Sequence, residues 1–338
     1  MELPKVSILV AARNEEDTIA RCLEALTNIR YPQDKWEVLV GNDQSEDATE
    51  RIAREYALQY KNIHVYTIRH TLGMARGKAN VLAQLAQKAQ GEYFLITDAD
   101  TCPPPTWVRG MLQAVQPDVG IVTGFTVIEG KSFFANMQAL DWLFALSFIA
   151  QVARLGTPVT AMGNNMLISR KAYASVGGYE NIPFSITEDY ALFKKVLDKG
   201  WKFRQLDQAE ITATTRPIPT FAGLMHQRKR WMYGALQLQF FMKLIIYFQT
   251  FFLPLLVLLS FWSWKWALLA WFARITGQSI YILYQLIRLK RTKLLPFYPF
   301  YEGYLLIISF SMLIFYLLPI KVNWKGREYS VKKESTTT

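Results

Sequence analysis

Three short runs carry side chains suited to handling charge: Asp98-Ala99-Asp100, Thr187-Glu188-Asp189 and Gln227-Arg228-Lys229-Arg230-Trp231. Two carboxylates set two apart at the exit of a strand offer hard oxygen ligands to a divalent ion, which can bridge to a diphosphate. The same Asp-x-Asp pattern also serves as a turn or helix cap, and the Cys102-Pro103-Pro104-Pro105 that follows suits either use. A carboxylate fixed at a helix entrance is a stationary proton acceptor. Asp189 opens a predicted helix, Asp189 to Lys199, with Thr187 placed as its N-cap, so capping and the helix dipole also account for these acids. The basic run joins phosphate-pairing donors to a flat ring that stacks on a sugar or base. Because a long apolar stretch begins soon afterwards, it equally suits a membrane surface.

Strands and helices alternate ahead of these runs. Lys5 to Ala12, Trp36 to Val40, Ile63 to Ile68 and Glu92 to Thr97 are short and rich in β-branched or aromatic residues, as buried strands are. Thr18 to Leu26, Ala48 to Tyr60 and Ala79 to Ala89 space their apolar residues as helices do. Such alternation predicts a parallel sheet that binds ligands beyond the carboxyl ends of its strands. Glu15, Asp43, Lys78, Asp98 and Asp100 all fall just past such ends. Each alone reads as a cap or a solvated charge; their common edge is what points to a site.

Ala12-Arg13-Asn14-Glu15, Asn42-Asp43-Gln44-Ser45-Glu46-Asp47, Gly77-Lys78-Ala79-Asn80 and the three runs above follow one another in an order that resembles the family 2 glycosyltransferases of GT-A fold. The likeness is to the membrane-associated branch with a Q-x-x-R-W motif, and it covers residues 5–231, about two thirds of the chain. It implies an α/β, Rossmann-like GT-A domain of the nucleotide-diphospho-sugar transferase type over 1–231, a transmembrane helical region over 232–320 and a basic tail over 321–338. Glu15 and Asp43 look like contacts to the nucleotide base and ribose, and Lys78 like a contact to the nucleotide or diphosphate. Asp98 looks like the nucleoside-side member of the metal motif and Asp100 like the direct ligand of Mg2+ or Mn2+. Asp189 looks like the catalytic base with Glu188 beside it. Gln227, Arg230 and Trp231 look like the group that closes over donor and acceptor, and Gly163-Asn164-Asn165 resembles a loop lining the acceptor site, where a plain turn is the alternative. Asn42 stands where many relatives have Asp, and Ala11 where many have Pro.

The implied reaction is inverting, metal-dependent transfer from a nucleotide sugar, expected to be a UDP-sugar, to a hydroxyl of a membrane lipid or lipid-linked acceptor. A processive polysaccharide synthase of the hyaluronan, cellulose or poly-N-acetylglucosamine type is the alternative, and a noncatalytic membrane scaffold a more distant one. Glycoside hydrolysis by paired carboxylates is disfavoured, because the same motifs specify nucleotide and diphosphate contacts.

The net charge of +11 on 338 residues is unevenly placed, since Glu302, Glu328 and Glu334 are the only acids after Thr215. The late cations flank apolar blocks, which favours an anionic bilayer surface over nucleic acid as partner. Leu244 to Trp262, Trp266 to Ile287 and Tyr301 to Ile320 are long enough to span, with Trp and Tyr crowding their ends and Pro254 permitting a bend. No apolar segment precedes Lys5, so the expected location is the cytoplasmic (inner) membrane, multi-pass, with the catalytic domain in the cytoplasm. Arg288, Lys290, Arg291 and Lys293 prefer a cytoplasmic loop; three crossings then put the tail outside, against the preference of Lys321, Lys325, Arg327, Lys332 and Lys333. A re-entrant first block would reverse that order. Phe133 to Ala153 reads as a core helix or one lying in the bilayer interface. Cys22 and Cys102 are too few for a disulfide framework or zinc site and are expected as free thiols. His64, His70 and His226 lack ligand spacing, and Glu334 to Thr338 reads as a loose tail.

Overall fold

Apolar, β-branched segments form the strands, and the amphipathic segments between them form the covering helices. The computed structural model describes residues 2–324 and 327–329. In chain order the first elements are β1 (Val6–Ala12), α1 (Ile19–Thr27), β2 (Trp36–Asn42), α2 (Thr49–Gln59), β3 (Ile63–Thr67), α3 (Gly77–Lys88) and β4 (Tyr93–Asp98). There follow β5 (Thr101–Cys102), α4 (Trp107–Gln113), β6 (Val119–Thr123), β7 (Thr126–Ile128), α5 (Phe133–Arg154), β8 (Asn165–Ser169), α6 (Arg170–Ser175), α7 (Glu188–Asp198), β9 (Lys202–Gln205) and β10 (Ala213–Thr215). The last helices are α8 (Phe221–Ala235), α9 (Phe240–Trp262), α10 (Trp264–Arg288) and α11 (Tyr301–Leu317). Two units divide the chain: Met1–Glu129 with Ala145–Arg216, and Gly130–Phe144 with Pro217–Thr338.

In the first unit a seven-stranded sheet has the order β3-β2-β1-β4-β8-β6-β9. The pairs β1–β2, β2–β3 and β1–β4 are parallel, as the alternation predicts. The expectation of a parallel sheet fails at β8, which is antiparallel to both β4 and β6. Its register pairs Thr97 with Asn165, so β8 starts at the edge where β4 ends and puts the Gly163-Asn164 turn beside Asp98. Ile8, Val10, Leu23, Val38, Trp107 and Leu167 meet in a core whose members are fully buried; truncating one of these leucines to Ala costs about 2–5 kcal/mol by the usual transfer and cavity terms. A three-stranded sheet, β5-β10-β7, fastens the chain just past Asp100, with Thr215 opposite Thr101.

Thr187 does occupy the N-cap position of α7, but it makes no side-chain cap bond. Its backbone has φ −118° and ψ 75°, and its hydroxyl lies 3.3 Å from that of Ser185, whose Oγ also accepts the Thr187 N–H at 3.2 Å. Cys22 and Cys102 are free.

The second unit is helical. Thr220 caps α8, its hydroxyl accepting the N–H of Gly223 at 3.1 Å. Among the described residues, α5, α9 and the stretch Thr292–Leu317 are long and apolar enough to cross a membrane. The apolar window of α5 is 61 % buried, as the core reading requires, against 6 % for α9. The block Trp266 to Ile287 lies within α10, which falls outside that set; Lys265, Arg274, Gln278 and Gln285 interrupt its apolar residues. Arg274 finds its charge partner on α11, 3.5 Å from Glu302, with Gln249 of α9 and Gln278 of α10 adding hydrogen bonds of 3.3 and 3.1 Å. Helix α9 runs unbroken through Pro254. Val322–Trp324 and Arg327–Tyr329 pair antiparallel; Lys325, Lys332, Lys333 and the tail Glu334 to Thr338 lie outside the described residues.

Candidate functional site

Four separate segments of the first unit converge where β4 ends. Lys78, in the first turn of α3, forms an ion pair with Asp98 and lies 3.1 Å from Glu188 Oε1. Burial works against the ammonium charge, but the carboxylates of Asp98, Glu188 and Asp189 outweigh it and hold the pKa above the ordinary lysine range. Asp189, half-buried, accepts the backbone N–H of Gly163 on Oδ2 at 3.0 Å and that of Tyr190 on Oδ1 at 2.8 Å. Burial first, and the charge of Glu188 second, push its pKa up to about 6 against the pull of Lys78 and these amides. Of the two adjacent acids, Glu188 is thus tied to a cation, and Asp189 is the one whose carboxyl is raised above the ordinary range.

The Gly163-Asn164-Asn165 turn is a built support for that carboxylate. Thr97 donates its hydroxyl to the Asn164 carbonyl, and Thr126 donates to Asn164 Oδ1, both at 3.1 Å. Asn165 is completely buried; its amide donates to the carbonyls of Phe125 and Ile211 at 2.7 and 2.9 Å and its Oδ1 accepts from Trp107 Nε1 at 2.8 Å. A Cβ on Gly163 would lie 2.8 Å from Asp189 Cβ and 3.0 Å from Oδ2, closer than packed atoms stand, so only glycine allows the carboxylate this position. Tyr179 also belongs here, although its sequence context offers no signal. Its hydroxyl is buried with no hydrogen-bond partner among the described residues, and burial together with Glu188 and Asp189 raises its pKa.

Glu15 and Asp43 follow β1 and β2 on the same edge of the sheet. The Glu15 carbonyl accepts the N–H groups of Thr18 and Ile19 at 2.9 and 2.8 Å, which starts α1, while its Oε2 accepts the Thr18 hydroxyl at 2.7 Å. Asp43 is 8 % exposed; its N–H donates to the Ala12 carbonyl and its own carbonyl accepts Arg13 Nη1 at 2.6 Å. Asn42 has a local reason for not being Asp. Its amide donates to Glu50 Oε2 at 2.5 Å, and an acid there would face that carboxylate.

Asp98 and Asp100 lie at the exit of β4, two residues apart. Asp98 ends β4, and Asp100 Oδ1 accepts the Thr101 hydroxyl at 3.1 Å. No group of three or more His, Cys, Asp or Glu side chains among the described residues could hold a metal by itself. Two hard carboxylate oxygens without a closed protein cage suit Mg2+ or Mn2+ that completes its shell with phosphate oxygens and water, so these residues fit such an ion.

Gln227, Arg230 and Trp231 belong to the second unit, where their i, i+3, i+4 spacing groups them on one side of α8. Between them, Arg228 pairs with Asp141, and the buried Lys229 donates to the carbonyls of Phe315 and Leu318 at 3.0 and 2.9 Å. Trp231 stacks on Trp142, ring centroids 4.6 Å apart at 26°. Asp141 escapes notice in the sequence; the available signal is that it is the only acid within an otherwise apolar helix.

The description "Glycosyl transferase family 2" fits a family model matching residues 7–177, and "Glycosyl transferase family group 2" one matching 93–320. The chain is 32 % identical over 239 residues, 70 % of its length, to a β-monoglucosyldiacylglycerol synthase of Trichormus variabilis. It is 29 % identical over 239 residues, 69 % of its length, to a poly-β-1,6-N-acetyl-D-glucosamine synthase of Staphylococcus aureus. It spans about half the length of these curated relatives, 50 % and 55 % respectively. The solved mannosyltransferase PcManGT from Pyrobaculum calidifontis, in complex with GDP-Man and Mn2+, shares the fold at a TM-score of 0.58 and 20 % identity, over 94 % of this chain and 87 % of that one. With a GT-A sheet in place and one family model covering just over half of its residues, the chain belongs to glycosyl transferase family 2.

Proposed function

We propose that the protein is an inverting glycosyltransferase that moves a sugar from a nucleotide-sugar donor, a UDP-sugar, to a hydroxyl of a membrane lipid or lipid-linked acceptor. The observation that carries this reading is the Asp189 carboxylate, pinned by the Gly163 and Tyr190 amides and raised to about 6, beside the Lys78–Asp98 pair. The acceptor oxygen attacks the anomeric carbon as Asp189 takes its proton; the bond from that carbon to the diphosphate oxygen breaks, and the nucleoside diphosphate leaves. One displacement inverts the carbon, and no carboxylate nucleophile is needed. Lys78, released from Asp98 or Glu188, is the cation available to the diphosphate, while Glu15 and Asp43 serve the base and ribose. Asp98 and Asp100 would hold Mg2+ or Mn2+, which when bound neutralises charge on the leaving diphosphate. Gln227, Arg230 and Trp231 act as the clamp over donor and acceptor, with Asn164 on the acceptor side and Gly163 placing the base.

The relative named for a glucosyldiacylglycerol product supports a lipid acceptor, and α9 and Thr292–Leu317 support a multi-pass protein of the cytoplasmic membrane with its catalytic domain in the cytoplasm. The relative named poly-β-1,6-N-acetyl-D-glucosamine synthase favours processive polymer synthesis as the second reading. Detergent-purified protein incubated with a panel of nucleotide sugars and membrane lipid, with products resolved by mass, decides between them. Discrete lipid-plus-sugar masses are expected; a polymer ladder supports the second reading, and no transfer from any donor removes both.

Two results follow from the geometry of the base. Because Asp189 must be ionised to accept a proton, kcat is expected to fall about tenfold per unit below pH 6 and to level off above it. A profile flat from pH 5 to pH 8 (about three units) would contradict the role. The sign for folding is opposite: a carboxyl raised in the folded state favours folding while protonated, and that advantage is lost as pH rises from 3.8 toward about 6. Gly163→Ala should displace Asp189 and lower kcat by about a hundredfold, as a misplacement near 1 Å does, with nucleoside diphosphate binding retained. Native kcat in this variant would show that the close approach is not needed.

A further inference from the structure

The Q-x-x-R-W motif leaves two of its five positions without a chemical role. In this chain they are Arg228 and Lys229, and both are engaged within the second unit. Arg228 lies one helical turn before Trp231, and its guanidinium carbon stands 4.9 Å from the Trp231 ring centroid and 6.0 Å from that of Trp142. The same guanidinium is paired with Asp141, the residue before Trp142 on α5. Two successive residues of one helix therefore meet two same-face residues of another, as an ion pair beside a ring stack. Asp141 is 9 % exposed, and its second oxygen lies 3.5 Å from the Tyr301 hydroxyl, which donates to it. The next residue of α8, Lys229, is 2 % exposed, and its ammonium holds the end of α11 by two carbonyls.

An acid buried in an apolar helix is costly unless it is paired and hydrogen-bonded, as Asp141 is by Arg228 and Tyr301. Bulk packing does not require one at position 141. What a carboxylate supplies there is a fixed direction for the Arg228 plane, and through that plane a fixed position for the Trp231 ring. We propose that Asp141 is a positioning residue: it holds Arg228 across Trp231, so that the clamp side of α8 is set before any donor arrives. This rests on the reading of Gln227, Arg230 and Trp231 as the clamp. Asp141 touches neither donor nor acceptor in this scheme and acts only through Arg228.

The test uses the full chain in lipid nanodiscs, with Asp141→Asn and Arg228→Lys beside the native protein. Uridine diphosphate with Mn2+ serves as the binding probe and counts the folded sites, and kcat is expressed per site so counted. Asp141→Asn is expected to lower kcat at least tenfold, with uridine diphosphate affinity within about threefold of native, and to speed hydrogen exchange across residues 221–235. Arg228→Lys keeps a cation for Asp141 but lacks the planar group over Trp231, so kcat should fall severalfold at little change in melting temperature. A purely structural pair would lower melting temperature and site count while leaving kcat per site unchanged in both variants, and that result overturns the proposal. Should Asp141→Asn fail to fold, Arg228→Lys alone decides by the same criterion. Should the native protein transfer sugar from no donor, the clamp reading fails by itself, and unchanged exchange in residues 221–235 of Asp141→Asn, or faster exchange there with a lowered melting temperature, would overturn the anchor too, whereas faster exchange at an unchanged melting temperature would uphold it.

Discussion

Asp189→Asn is expected to abolish sugar transfer to within a hundredth to a ten-thousandth of the native rate, roughly the contribution of a positioned general base. The substitution keeps the size of the side chain, and the amide oxygen can still accept the Gly163 N–H that the carboxylate accepts at 3.0 Å. The turn beside Asp98 therefore keeps its support, and calorimetric binding of nucleoside diphosphate should stay within a few-fold of native. A joint loss of binding, folding and turnover would reassign Asp189 to a structural role at the start of α7. Glu188→Gln gives a useful contrast. It removes one of the two carboxylates beside Lys78, so its effect should include donor affinity.

Asp100→Ala should be of similar size, with turnover falling on the order of a thousandfold, equivalent to about 4 kcal/mol of lost stabilisation of the departing diphosphate. Asp98 and Asp100 are the two carboxylates of the motif at this end of β4, and no group of three or more His, Cys, Asp or Glu side chains among the described residues could hold the ion without Asp100. The fold should tolerate the change, because Asp100 follows the strand and the next residues are secured independently by the Thr101–Thr215 pair. The measurement is kcat against added Mg2+ or Mn2+, with and without excess chelator. Full turnover of the native protein in chelator, or native kcat in Asp100→Ala, would remove the metal from the mechanism.

Local features of the site were legible, and long-range ones were not. Glu15, Asp43 and Asp98 could be assigned to one sheet edge because β1, β2 and β4 are continuous apolar runs that announce their own ends. Asp189 could be placed at a helix entrance because the periodicity of α7 is local, although the backbone angles that deny Thr187 its capping bond leave no trace in residue types. The reversal of β8 depends on pairing Tyr93 with Ser169, which nothing nearby in sequence encodes. Gly163 resembled part of an acceptor loop, and its contact with Asp189 emerges only when residues 163 and 189 are folded together. Arg274 and Glu302 are similar: each interrupts an apolar stretch, and only their mutual distance explains both.

The placement of β8 has a consequence for the order in which the molecule can be built. This strand is synthesised after β4 and β6 yet lies between them, and among the described residues β6 pairs only with β8 and β9. A growing chain can close β1 to β4 as they appear, but β6 must wait without sheet partners until Asn165–Ser169 has emerged. Such non-local closure is slow, and during it the free side of β4 is an unprotected edge to which another strand can add. The edge carrying Asp98 is therefore among the last parts of the sheet to be completed, and it is the stage of synthesis at which this chain is most exposed to misassembly.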